Sequence, residues 1–509
     1  MTTMASRSRT VRPVTPAALP GVASELLRGD HRLALAACHD DGDALRAVYV
    51  FAAGPPSEIV ELHLPIDRDR PHLPSLADIS FSAGRFEREM HDLFGVIPRN
   101  HPLPRRLVRH PNWPAGWYPM RRDAGPPPPF DAVHEPYQFL HVEGPGVYEI
   151  PVGPVHAGII EPGHFRFSVV GETILKLKIR LWFVHRGVEK LFEGRAPAEG
   201  VALAERISGD TAVGHNLAYS QAVEDALGIA VSLRDLRLRA MLLELERVYN
   251  HVADLGALAN DVGYSLLNGH AQHIREQLLH INQTVTGHRL LRGAIMPGAT
   301  QVAGLPDPHD LTRIGADVTE LAELILANST VRDRFTRTAR LGLAQAVDLG
   351  CLGYVARASG QDLDARHDHP TCDMRPQRVR HESGDVLARF LVRRDEIAAS
   401  LALVQQIVAA SSATGHPGGG VTADEAGSVD TTTPAAAATS GAGVGIVEGW
   451  RGTIVHRVEI ADGRISRAKI VDPSWFNWPA LPVALAETIV PDFPLANKSF
   501  NLSYAGNDL

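Results

Sequence analysis

The pattern of apolar and polar positions divides the chain into three regions. In the first, from about Pro20 to Asp123, the apolar-rich stretches His31-Arg-Leu-Ala-Leu-Ala-Ala37 and Ala47-Val-Tyr-Val-Phe-Ala52 predict strands. In the second, Tyr148 to Leu177 predicts a small sheet, after which the period becomes helical. Leu233, Leu236, Met241, Leu242, Leu245, Val248, Val252 and Leu255 lie near one stripe, with Arg234, Arg237, Arg239 and Glu246 off it. Leu311 to Ala327 and Val386 to Ala410 repeat that pattern, so a helix bundle is expected. The third region opens at Val444 and predicts a hairpin to Ile470, with Ala461-Asp-Gly463 as the turn.

The joints are legible too. Residues 1–20 carry Arg7, Arg9 and Arg12 without an apolar run behind them, which excludes a signal peptide and predicts a mobile tail. Gly125-Pro-Pro-Pro-Pro129 opens a stiff linker, since proline fixes φ and favours extended chain. Residues 412–443 are dominated by Ala, Thr, Ser and Gly; with too little apolar bulk to offset ordering entropy, they predict a flexible insertion. The expected organisation is a docking domain at 21–124, a linker at 125–147 and a larger domain at 148–509. The expected class is α+β: a small N-terminal α+β domain, then a mainly helical bundle with a small sheet.

Composition narrows the function classes. With 44% hydrophobic and 21% charged residues, the 509-residue chain can bury a core. A formal charge of -8 gives no basic field for nucleic acid, so no nucleic-acid partner is expected. No stretch approaches the roughly 18 apolar residues of a membrane helix, so any membrane role is peripheral. Cys38, Cys351 and Cys372 are the three cysteines, too few for a disulfide framework or for a four-thiolate metal centre, and suit a reducing cytosol. No Gly-rich dinucleotide fingerprint or P-loop is present, so NAD or formate chemistry would belong to another subunit. His367, His369 and Cys372 sit close in sequence as nitrogen and sulfur donors, but lack a second cysteine pair and read as a loop.

Three linked motifs carry a resemblance. Phe86-Glu-Arg-Glu-Met-His-Asp-Leu-Phe-Gly95, His101-Pro-Leu-Pro-Arg-Arg106 and Tyr118-Pro-Met-Arg-Arg-Asp123 resemble the C subunit of respiratory complex I, a docking domain without a cofactor. Taken alone, Glu87, Arg88, Glu89 and Asp92 would read as a solvated helix face. Pro151-Val-Gly-Pro-Val-His156, Glu161-Pro-Gly-His-Phe-Arg166, His185-Arg-Gly-Val-Glu-Lys190 and Phe192-Glu-Gly-Arg195 resemble the complex I D subunit. They are more similar still to the large subunit of membrane-linked [NiFe] hydrogenases of the formate hydrogenlyase type, which fuse both modules in one chain. The resemblance spans nearly all of Phe81 to Leu509 except 412–443. It implies an electron- and proton-handling subunit on the cytoplasmic side of the membrane, beside a small iron–sulfur subunit, membrane-embedded antiporter-like subunits and a formate dehydrogenase-type subunit.

A nickel site of that family takes four thiolates, from R-x-C-G-x-C and D-P-C-x-x-C-x-x-H. The matching segments are Arg206-Ile-Ser-Gly-Asp-Thr211 and Asp472-Pro-Ser-Trp-Phe-Asn-Trp-Pro-Ala480. Ser208, Thr211, Ser474 and Asn477 stand at the four sulfur positions, and Ala480 replaces the final histidine. Hydroxyls and an amide are hard, weak ligands for nickel, so neither a Ni–Fe centre nor any other tightly bound cofactor is expected. Glu189 matches a magnesium-holding glutamate; Ala480 in place of its partner argues against a retained magnesium, and a salt bridge is the plainer reading. Glu161 fits the position of a proton-relaying glutamate, for which an apolar pocket would raise its pKa; an ion pair with Arg166 or Arg206 is the alternative.

Complex I binds a quinone head with a histidine and a tyrosine. His156 and His164 both lie in the matching loop, and the tyrosine position is Gly209, with His215 or Tyr219 as further polar partners. The apolar anchors Phe493, Leu495 and Phe500 leave the C-terminal stretch to plug the core, pack on a partner or stay solvated. The leading expectation is electron transfer from an iron–sulfur partner to a quinone or other small acceptor. The acceptor would sit in a cavity lined by Ser208, Asp210, His215 and Ser474, with Glu161, His215 and Asp210 handling protons. A non-catalytic scaffold is the alternative, and an active hydrogenase is disfavoured by the ligand chemistry.

Overall fold

The computed structural model describes residues 8–130, 137–158, 160–413 and 438–509. The first domain is built on a sheet of β1 (Ser8–Pro13), β2 (Arg32–Asp40), β3 (Leu45–Ala53) and β4 (Glu58–Ile66), in the order β1-β4-β3-β2. The two stretches expected as strands are β2 and β3, buried along nearly their whole length. Residues 8–13 are not the mobile tail that was expected. The outer side of β4 offers an unpaired ladder, and β1 fills it in parallel register from Ser8 opposite Glu58 to Pro13 opposite His63, with Arg9 3.2 Å from Glu61.

Across this sheet lie α1 (Leu19–Arg28) and α2 (Phe81–Phe94). Ser80 starts α2 by accepting from the Ala83 amide, and Gly95 ends it in the left-handed conformation. The charges of α2 are not a solvated face. Glu87 accepts from the Leu76 amide at 2.7 Å and the Ser75 hydroxyl at 2.6 Å. Asp92 accepts from the amides of Leu107, Val108 and Arg109, and Glu89 meets Lys469 of the second domain. A carboxylate that collects amide donors of a loop is buried because it folds that loop. From the linker, Tyr137 lies under the Arg180 guanidinium at 4.7 Å and Phe139 under that of Arg166 at 4.5 Å.

The second domain opens with the antiparallel strands Val147–Val152, His164–Val170 and Thr173–Arg180. It continues through α3 (Val188–Phe192) and α4 (Pro197–Ala204) to the long helices α5 (Ala212–Leu227), α6 (Leu233–Asp261), α7 (Ser265–Thr286) and α8 (Pro308–Ala327). The helix Val386–Ala413 packs on α6 and α8 and completes the bundle. The predicted hairpin is three strands, Gly441–Gly449, Gly452–Ala461 and Arg464–Val471.

The expected flexible insertion falls mostly outside the described residues, but its end does not. Gly441, Gly443 and Gly445 lie against α5, where an added Cβ would fall 2.1, 2.1 and 1.8 Å from the carbonyl oxygens of Ala226, Ala222 and Ala218. Glycine at every second position therefore marks close strand-on-helix packing rather than mobility. The last residues form the helices Pro473–Asn477, Phe493–Phe500 and Tyr504–Asp508, and Leu495 and Phe500 are fully buried. Of the three fates left open for the C-terminal stretch, the structure shows the plug.

Candidate functional site

The two loops that carry the replaced ligand positions converge on Ser503, just ahead of the helix Tyr504–Asp508. The Ser208 hydroxyl lies 2.9 Å from that of Ser503, and the Ser503 amide donates to the Ser474 hydroxyl, also at 2.9 Å. The Trp478 indole N–H closes the same turn on the Ser503 carbonyl. Gly506 lets the helix descend onto Asp472, since a Cβ there would sit 2.6 Å from the Asp472 carboxyl. Ser208 and Ser474 are thus brought together, with a piece of the chain between them.

Thr211 and Asn477 complete other networks. The Thr211 hydroxyl meets Asp210 at 3.0 Å and the Trp450 indole N–H at 3.1 Å. Asn477 pairs with both main-chain groups of Leu352, donating to its carbonyl and accepting from its amide. Four thiolates aimed at one point would serve a nickel ion, whereas these hydroxyls and this amide are hard donors already engaged in hydrogen bonds. The residues present do not fit a nickel centre.

Asp210 is gripped by Arg451 through two parallel bonds of 2.7 Å, and Arg451 Nε donates onward to the Asn501 carbonyl at 2.6 Å. Burial alone would raise the Asp210 carboxyl; the Arg451 guanidinium outweighs it and holds the group at about 2. His215 is fully buried, with Nε2 3.1 Å from Asp472 Oδ2 and Nδ1 3.1 Å from His456 Nε2. Burial would raise Asp472, but the hydrogen bond from His215 lowers it; burial, then the neighbouring His215, depress His456 far below the ordinary range. Asp210, His215, Ser208 and Ser474 were expected to line an acceptor cavity. Ser208 and Ser474 meet Ser503, Asp210 meets Ser208 and Arg451, and His215 meets Asp472 and His456 instead.

Glu189 is held by cations of the chain itself. It lies buried with Lys469 Nζ at 3.0 Å, Arg467 at 2.8 Å and the Ile470 amide at 3.1 Å. Lys469 also reaches both oxygens of Glu89 at 2.8 Å, so its ammonium clamps α2 of the first domain to α3 of the second. Against burial, Arg467 and Lys469 hold the Glu189 carboxyl at about 2. The salt bridge is the reading the geometry bears out. No group of three or more His, Cys, Asp or Glu among the described residues could hold a metal ion. His369 Nδ1 meets the Ser57 hydroxyl at 2.8 Å, and the buried Cys372 thiol donates to the Met374 carbonyl at 3.6 Å.

Glu161 is neither in an apolar pocket nor paired with Arg166 or Arg206. It is exposed and accepts the Ala505 amide at 2.9 Å, while Arg166 turns to Glu149 and Arg206 to the Ala202 carbonyl. Tyr219 donates to the Pro197 carbonyl. The two loop histidines, like His456 at its Nδ1, each keep one ring nitrogen unmatched. His156 and His164 direct Nδ1 to the carbonyls of Pro154 and Gly153, each at 3.1 Å, and each Nε2 is buried with no hydrogen-bond partner among the described residues. The His156 ring lies 5.4 Å from that of Phe165 and 6.2 Å from that of Tyr504, and the His164 ring 5.3 Å from that of Phe139.

Sequence reasoning missed Ser503, Arg451, His456 and Lys469. Asp472, beside Ser474 in the matched frame, was the one signal pointing towards them. A lysine in a strand and a serine near the end of the chain give no local sign of such a role.

Three family profiles match successive segments of the chain. The profile of the respiratory-chain NADH dehydrogenase 30 Kd subunit matches residues 13–128, that of the nickel-dependent hydrogenases residues 186–259, and that of the NADH dehydrogenase 49 Kd subunit residues 261–508. Formate hydrogenlyase subunit 5 of Escherichia coli (strain K12) is 32% identical over 467 residues, covering 88% of this chain and 79% of its own length. The fused C/D subunit of the NADH-quinone oxidoreductase of Bacteroides thetaiotaomicron is 29% identical over 371 residues, covering 67% and 69%. A component of the membrane-bound sulfane sulfur reductase, an archaeal respiratory membrane complex, shares the fold. Its TM-score is 0.62 at 22% identity, over 72% of this chain and 99% of that one.

Proposed function

The chain belongs to the family of hydrogenase-related large subunits that includes formate hydrogenlyase subunit 5, and on that premise we propose that it passes electrons from an iron–sulfur partner to a quinone or similar small acceptor. As a subunit of a membrane-associated oxidoreductase complex, it has no helix among the described residues long and apolar enough to cross a membrane, in keeping with peripheral attachment. The membrane-embedded and formate dehydrogenase-type partners, like any NAD chemistry, belong to the same proposal.

The single observation that carries the reading is the pair of unpartnered Nε2 atoms of His156, in the loop after Val147–Val152, and His164, which begins the next strand. With Nδ1–H committed to a carbonyl, a neutral histidine presents Nε2 as an acceptor. That atom takes the hydroxyl of a quinol or, when protonated, donates to a quinone carbonyl. The rings of Phe139, Phe165 and Tyr504 supply flat apolar walls. Asp210 and His215 act from behind, by fixing Arg451 and Asp472 and so the segment that carries Tyr504.

The test is a screen of electron acceptors on the complex purified with its own partners. Reduction of a quinone is expected, falling by at least about a hundredfold in the His156→Ala, His164→Ala double variant, the lower end of the usual scale for losing a positioned proton donor. A second reading, a scaffold between the iron–sulfur subunit and the membrane subunits, draws on the closure around Ser503. An intact complex that reduces no quinone or other small acceptor would favour it.

A further inference from the structure

Between α2 and the strand Thr173–Arg180 lies a cavity of about 290 Å³ that the proposed reaction does not use. Leu107, Leu181, Trp182 and Trp478 line it, and Phe81 and Leu103, 46% and 41% exposed, extend its apolar surface outwards. Two guanidinium groups one helical turn apart, Arg85 and Arg88, also line this space.

Arg85 is 8% exposed, and its one protein acceptor among the described residues is the Trp475 carbonyl. Its guanidinium lies 4.6 Å from the centre of the Trp475 ring and 6.0 Å from that of Trp182. Arg88 donates to the carbonyls of Arg105 and Arg106 at 2.7 and 3.1 Å. Neither forms an ion pair with a carboxylate of the described residues. Elsewhere in the interior Arg247, Arg357, Arg366, Arg393 and Arg451 each meet one, while Arg180 and Arg389 are held by three and two main-chain carbonyls against the single one of Arg85.

A buried charge without a counter-charge is costly, and a bound anion would offset that cost. Burial, reinforced by the charge of Arg88, already pulls the Arg85 guanidinium down to about 9. The apolar walls ask for a hydrocarbon body behind the anion. The space is just below the roughly 300–1,000 Å³ of ordinary ligand sites, so it would house the head and the first part of a tail that leaves across Phe81 and Leu103.

We propose that this cavity binds an anionic amphiphile, its carboxylate or phosphate head between Arg85 and Arg88 and its apolar body against Trp182 and Trp478. Two sources share that chemistry, a free long-chain carboxylate and an acidic membrane phospholipid. The test titrates the purified complex, read by tryptophan fluorescence, with laurate, with its uncharged counterpart dodecanol, and with vesicles of phosphatidylglycerol or phosphatidylcholine.

Saturable binding is expected from laurate or from phosphatidylglycerol vesicles, whichever is the source, with the uncharged or zwitterionic counterpart at least about tenfold weaker. Arg85→Ala should weaken binding by about tenfold or more, and Arg85→Lys, which keeps the charge but not the fork, by less. Leu103→Glu at the exposed rim should repel the ligand while leaving the unfolding midpoint unchanged, so lost binding there cannot be misfolding. The proposal is overturned if neither laurate nor phosphatidylglycerol binds, if dodecanol binds as well as laurate, or if Arg85→Ala and Leu103→Glu both bind like the unaltered chain.

Discussion

Ser503 and Tyr504 are neighbours in sequence, yet they face regions that treat their polar atoms in opposite ways. Inward of Ser503, the hydroxyls of Ser208 and Ser474 close on the inserted segment, Arg451 ties Asp210 to Asn501, and Asp472, His215 and His456 form one buried chain. Outward of Tyr504, the loop from Gly153 to His164 leaves two imidazole nitrogens buried and unmatched. With hydroxyls and an amide at the four sulfur positions, Ser208, Thr211, Ser474 and Asn477 each find hydrogen-bond partners within the chain, whereas the loop side keeps two imidazole nitrogens unmatched.

The interior is most vulnerable at the ammonium that stands between Glu89 and Glu189. Lys469→Met leaves two buried carboxylates facing Arg467 alone and should cost about 3–5 kcal/mol in urea unfolding. A loss below about 1 kcal/mol would mean the interior does not depend on that clamp.

Acid should act next. Burial holds His39 and His251 at about 4, below the roughly 6.5 of an unfolded histidine. Between those values the unfolded chain binds more protons. The stability these two groups give is therefore complete above pH 6.5 and is lost as pH falls through 4, by at most about 1.4 kcal/mol per pH unit for each. Midpoints measured from pH 7 to 4 should fall, and His251→Gln should flatten the slope; an unchanged slope would remove His251 from the account.

Ser503→Ala removes a hydroxyl shared with Ser208 and with the Gly506 amide, and should cost about 1–3 kcal/mol in the same unfolding experiment. On the loop side, Glu161→Gln should change stability by less than about 0.5 kcal/mol, since the group is exposed and an amide oxygen can still accept from Ala505. Equal costs for Ser503→Ala and Glu161→Gln would erase the difference between the two regions.

Much of the fold was legible because its signals are local. The stripe from Leu233 to Leu255 is α6, Leu311 to Ala327 lies within α8, and the turn after Ala461 joins two strands as its chemistry implies. The errors share one cause, a feature whose meaning lies in distant partners. Arg9 looked like part of a mobile tail until β4 offered its edge, Glu87 and Asp92 like a solvated face until loop amides closed on them, and Gly441 and Gly443 like a flexible insertion until α5 came within contact. For the site, the frame around Ser208 and Ser474 showed what had been lost. What replaced it depends on Ser503, Arg451 and Lys469, which lie far away in sequence and match no short motif.

The interior between Ser208 and Ser474 is a hydrogen-bonded arrangement of hydroxyls and an amide that offers a nickel ion no thiolate. Elemental analysis of the complex purified with its partners is the decisive measurement. Nickel well below one atom per copy of this chain is expected; one nickel per chain would overturn that reading.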